Sequence, residues 1–130
     1  MILEESLFSF LSSDTAVAAI IGDRIYGVVA PQNAPLPRIV YTRMHTARTQ
    51  TLCKTDSKVR ATLLIECYDK NYKGSKLLAD VVRQTLTDFS GDMAGTRVST
   101  IALDAEVDLD DPEPGLYSVS QTYLIWFTEE

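Results

Sequence analysis

The chain has 130 residues, 45% hydrophobic and 23% charged, which fits one folded domain over residues 1–130 with enough length to bury about two thirds of its unfolded surface. Its formal net charge of -6 is the wrong sign for a general nucleic-acid binder. No apolar run approaches the roughly 20 residues of a membrane helix, the start MILEESLFSFLSSD lacks the bases of a secretory signal, and the two poorly matched cysteines, Cys53 and Cys67, imply a reducing compartment.

Residues 2–12 read as a first helix. Ile2 or Leu3, then Leu7, Phe8 and Leu11 share one side, and Glu4 and Glu5 fall in the first turn, at the positive end of the helix dipole. Ser13 or Asp14 caps a short second helix, TAVAAII, which Gly22 stops. DRIYG reads as a brief strand. In VVAPQNAPLPR, the prolines Pro31, Pro35 and Pro37 remove backbone donors and favour extended chain, so an ordered loop is expected. RIVYTRMHTAR (38–48) is a strand by its β-branched and aromatic content. Thr49, Gln50, Thr51, Leu52, Cys53, Lys54, Thr55, Asp56 and Ser57 have no apolar period and one apolar anchor, Leu52. They read as a long hairpin tip, poorly ordered on its own.

The next stretch organises the chain. In KVRATLLIECYD, Val59, Ala61, Leu63, Ile65 and Cys67 point one way, and Arg60, Thr62, Glu66 and Tyr68 the other, with Leu64 as the apolar exception. The period then changes: Leu77, Leu78, Val81, Val82, Leu86 and Phe89 recur at helical steps. A one-sided strand running into an amphipathic helix predicts a helix folded over that face. SGDMAG (90–95) reads as a flexible link. From Arg97 the alternation returns, with Ile101, Leu103, Ala105, Val107 and Leu109 set against Thr100, Ala102, Asp104, Glu106 and Asp108. DDPEPG makes a turn into a last strand, LYSVSQTYLIWF. The expected fold class is α+β: a mostly antiparallel four- to five-stranded sheet with two to three helices packed on one face.

Candidate chemistry is sparse. His45 is the sole histidine; with Cys53 it forms a conceivable base and nucleophile, but no third group orients them, and a lone strand histidine is more often a surface or interface residue. Asp104, Glu106 and Asp108, expected on one strand face, suit a divalent cation only if they converge, and a straight strand splays its side chains. Phosphate-loop, dinucleotide and nucleophile-elbow motifs are absent from the sequence. Charge is distributed unevenly. Arg38, Arg43, Arg48, Lys54, Lys58 and Arg60 form a basic run, whereas Asp104, Glu106, Asp108, Asp110, Asp111 and Glu113 form an acidic one. Such runs are usually solvated faces, but two of opposite sign also suit head-to-tail self-association. On that reading Arg43, Arg48, Lys58 and Arg60 of one copy meet Asp108, Asp110, Asp111 and Glu113 of the next, with Leu64, Leu124 and Trp126 supplying apolar contact.

The succession LFSFLSSDTAVAAIIGDRIYG, VAPQNAPLPRIVY, VRATLLIECYDKNYKGSKLLADVVRQTL and EPGLYSVSQTYLIWF, over nearly the full length, resembles the tail-completion or tail-terminator proteins of long-tailed bacteriophages, prophages and gene transfer agents. The resemblance implies helices packed on a mostly antiparallel sheet, no cofactor and no catalytic residues. It further implies a ring, usually a hexamer, at the head-proximal end of the tail tube. There it stops tube polymerisation and docks the head connector, while DNA passes through without specific binding. Its partners are its own copies, the tail-tube protein and the head-tail connector, with no membrane, and it is assembled in the host cytoplasm. The alternatives are a connector or stopper ring of the neck, or a small cytoplasmic enzyme or ligand-binding domain using the acidic strand or His45.

Overall fold

A computed structural model describes residues 2–29, 35–50, 55–110 and 116–128, with backbone alone described at 49–50, 55–57 and 109–110. Three helices and six strands follow in the order α1 (Leu3–Ser13), α2 (Thr15–Ile21), β1 (Ile25–Gly27), β2 (Arg38–Gln50), β3 (Thr55–Asp69), α3 (Tyr72–Leu86), β4 (Gly91–Met93), β5 (Thr96–Asp110) and β6 (Tyr117–Thr128). The strands form one mixed sheet in the order β1-β2-β3-β6-β5-β4. Every neighbouring pair is antiparallel except β1–β2. The sheet thus has six strands instead of four or five, because two three-residue strands extend its margins.

The β3–α3 unit sits at the centre. Val59, Ala61, Leu63, Ile65 and Cys67 alternate into the core, opposite Val119, Tyr123, Ile125 and Phe127 of β6. Leu78, Ala79, Val82 and Leu86 of α3 join the same cluster, with Val81 packed against it. Burying each large side chain contributes roughly 1.5–3 kcal/mol. Asn71 caps α3, its side-chain oxygen accepting from the Gly74 amide at 2.6 Å. Leu77 falls off the expected stripe and is exposed, and Phe89 lies beyond the helix, tilted against Phe10 at 4.7 Å between ring centres.

Asp14 caps α2 by accepting from the Ala16 and Val17 amides, and Gly22 ends it at φ 58°, a conformation favourable for glycine. α1 packs against both β1 and β4, the outermost strands, so the sheet curls around the helix layer. A buried Ser6–Thr96 hydroxyl pair at 2.6 Å marks the β4–β5 side of that closure. Arg24 fastens the opposite margin, donating to the Pro37 carbonyl at 2.8 Å and the Ile20 carbonyl at 3.0 Å.

Three expectations change. The segment read as a flexible link forms β4 and a tight turn, with Ala94 and Gly95 at positive φ. The hairpin tip is shorter than expected, since strand pairing reaches Gln50 and resumes at Thr55; Thr51, Leu52, Cys53 and Lys54 lie outside the described residues. The alternation of β5 breaks at a bulge between Leu103 and Ala105. One extra residue reverses every later side chain. Ile101 and Leu103 therefore face the helices, whereas Ala105 and Val107 face away.

Candidate assembly interface

The helix layer covers one face of the sheet and leaves the other open. Register places Arg60, Thr62, Leu64 and Glu66 of β3 on the open face beside Ser120, Thr122, Leu124 and Trp126 of β6. Leu64 pairs with Thr122 and Leu124 with Thr62, so the two leucines are diagonal neighbours; Trp126 stands two residues along. The structure brings these three together as a half-buried apolar patch, with Ala102, Ala105 and the exposed Val107 beside it on β5. His45, exposed on β2 opposite Thr62, lies on the same face.

Part of each charge run falls on a free strand edge, one on either side of the sheet. β1 covers β2 only along Ile39–Tyr41, and β4 covers β5 only along Thr96–Val98. Among the described residues no strand pairs with the outer side of 42–50 or of 99–110. The first stretch carries Arg43 and Arg48, and the second Asp104, Glu106 and Asp108. Lys58 and Arg60 lie one strand further in, on the open face. Of the acidic residues named from sequence, Asp111 and Glu113 lie outside the described residues, and Asp110 is described by its backbone alone.

Several of these charges are held within the subunit. Arg43 bonds Glu4 of α1, and its guanidinium carbon lies 5.7 Å from the centre of the Phe127 ring. Asp108 accepts from the Tyr72 hydroxyl at 2.7 Å and from Lys76 at 2.9 Å. The Tyr72 bond, then the Lys76 bond, holds the Asp108 carboxyl below its usual range. Because of the β5 bulge, Glu106 and Asp108 turn toward the helix side, while Asp104 occupies the bulge itself. The expected single row of three carboxylates is therefore broken. Among the described residues no three His, Cys, Asp or Glu side chains gather to hold a metal, and no helix is long and apolar enough to cross a membrane.

The structure adds features that alternation could not reveal. Gln121, on the core face of β6, donates from Nε2 to the Ala79 carbonyl at 3.0 Å and to Glu106 at 2.7 Å, and accepts from the buried Tyr123 hydroxyl at 2.8 Å. This polar network locks β6 against α3 and β5, and burial pushes the Tyr123 hydroxyl far up from its ordinary pKa. Val28 and Val29 are exposed after β1, Val28 at φ 65°, an uncommon conformation for a β-branched residue. They border a concavity of about 240 Å³ whose other walls include Arg38, Glu66 and Tyr68.

The arrangement defines a class of fold: a curled sheet with its helices on one face, an apolar patch on the other, and charges of opposite sign on its two free edges. Residues 5–128 match the model of the family described as Tail completion protein gp17, and the chain belongs to that family. The fold is shared with a chain of a solved structure, "Virion of native gene transfer agent (GTA) particle". The TM-score is 0.79 at 14% sequence identity, and the match covers 97% of this chain and 94% of that chain. Comparison with curated proteins gives no match.

Proposed function

We propose that the chain is a single-domain structural subunit of a virion tail, acting as a tail terminator. Six copies close into a ring on the head-proximal end of the tail tube, end its polymerisation and present the docking surface for the head-tail connector. The observation that carries this reading is the match of residues 5–128 to a tail-completion family. The likeness in fold to a chain of a gene transfer agent virion is consistent with it.

Contacts with its own copies, the tube and the connector draw on Arg43, Arg48, Lys58 and Arg60, on Asp108, Asp110, Asp111 and Glu113, and on the apolar Leu64, Leu124 and Trp126. The connection between β2 and β3 reaches a neighbour or the tube. A ring of chains each carrying -6 makes a mostly negative conduit, through which DNA slides because few phosphate contacts form. Assembly takes place in the host cytoplasm, without catalysis or cofactor.

Deleting the gene from the phage and imaging the lysate tests this. Free heads and tails of irregular length, restored to joined particles by the purified protein, are expected. Joined particles with normal tails contradict it. Tails of uniform length beside unsealed heads place the protein in the connector or stopper instead.

A further inference from the structure

We propose that neighbouring copies join by strand pairing, the free stretch of β2 in one copy adding to the free stretch of β5 in the next. This rests on the ring reading above and specifies its seam. Among the described residues, both stretches leave one side of their backbone without a partner strand, 42–50 on β2 and 102–110 on β5. The boundary on β5 is set by the Asp88 amide, which donates to the Ile101 carbonyl at 2.9 Å. An open strand edge is a template for another strand, and charge or a bulge on it normally prevents indiscriminate pairing. Both edges here carry both devices, with bulges at 43–45 and 103–105.

The signs decide which edges accept each other. Two β2 edges would gather the arginines of both copies on one seam with no carboxylate, and two β5 edges would gather only carboxylates. Only the unlike pairing sets a base beside a carboxylate, Arg48 with Asp104, and it is heterologous, as ring closure requires. Strand direction agrees. β2, β3, β6 and β5 alternate in direction, so β2 and β5 run opposite ways. A neighbour in the same orientation therefore offers β5 antiparallel to β2.

With the two stretches fully overlapped, Arg48 stands opposite Asp104 and His45 opposite Val107. Both members of the second pair lie on the open face of their own sheet. The overlap needs a stagger, because the register across the sheet levels Arg48 with Val98 and Ile39 with Asp108. Copies in a ring share one height, so the strands must incline to the ring axis.

Cysteine cross-linking tests the seam on the full chain in a Cys53→Ser background, with Cys67 buried. Under oxidation, His45→Cys/Val107→Cys and Ala47→Cys/Ala105→Cys should give a ladder of disulfide-linked copies up to the ring. Arg48→Glu and Asp104→Lys should each reduce ring yield several-fold, and their combination should recover most of it. If native mass shows rings but neither pair cross-links, while Leu64→Cys/Trp126→Cys does, the open face is the seam and strand pairing is overturned. If the protein stays monomeric even with purified tail tubes, the ring reading itself fails.

Discussion

Lys76 Nζ and Asp108 Oδ1 lie 2.9 Å apart, tying the first turns of α3 to the acidic end of β5. Since Asp108 titrates below its unfolded value, its contribution is present above the ordinary aspartate range and lost as pH falls through the lowered value. Lys76, raised chiefly by its bond to Asp108, contributes until pH climbs through its own raised value. Asp108→Asn should therefore melt below the parent at neutral pH, and the two melting curves should converge on acidification beneath the aspartate range. A gap that persists unchanged in acid contradicts the assignment.

Leu63 and Leu64 are adjacent in sequence and opposite in environment. Leu63 is fully buried between β3 and the helix layer, whereas Leu64 is half-buried on the open face. Leu63→Ala should cost about 2–5 kcal/mol in denaturant unfolding, a cavity in the core. Leu64→Ala should cost much less in the same measurement. A loss below about 0.5 kcal/mol at Leu63 contradicts the core described here.

Gly74 sits inside α3, where exchange for alanine ordinarily gains about 1 kcal/mol of helix propensity. Here a Cβ would lie 2.0 Å from Asp69 Oδ2. Asp69 is nearly buried, and its other oxygen accepts from the Lys70 amide at 2.6 Å, so it has little room to yield. The clash outweighs the propensity, and Gly74→Ala should lower the unfolding midpoint. A raised midpoint means that Asp69 moves freely.

Burial above all, with the Glu106 and Glu66 carboxylates adding to it, pushes the Cys67 thiol far above its ordinary pKa. In a Cys53→Ser chain, a thiol reagent at mildly alkaline pH should react only as the protein unfolds. Rapid reaction of the folded chain contradicts the placement of Cys67 in the core.

What was legible in the sequence was whatever a period could carry. Val59 to Cys67 alternate with Leu64 as the one exception, Leu78, Val82 and Leu86 keep helical steps, and Asp14 and Gly22 mark the ends of α2 by their own chemistry. The β5 bulge left no such trace, because Ala105, Val107 and Leu109 continue the apolar parity of Ile101 and Leu103 on paper. Only pairing with β6 shows that Asp104 is an extra residue and that Ala105 and Val107 face away from the core. The short strand β4 was hidden for a related reason: Gly91–Met93 has too few side chains to display a period, and it exists by pairing with Thr96–Val98. Opposed charge runs were visible, but the free strand edges that carry part of each follow from topology.

A tail terminator sits where head meets tail, and labelling intact virions tests whether this chain does. A small epitope fused after Glu130 and decorated with gold-bound antibody should mark one site per particle, at the junction of head and tail. Averaged images of that junction should resolve a sixfold ring of this fold. Label at the tail tip, along the tube or on the capsid contradicts the account.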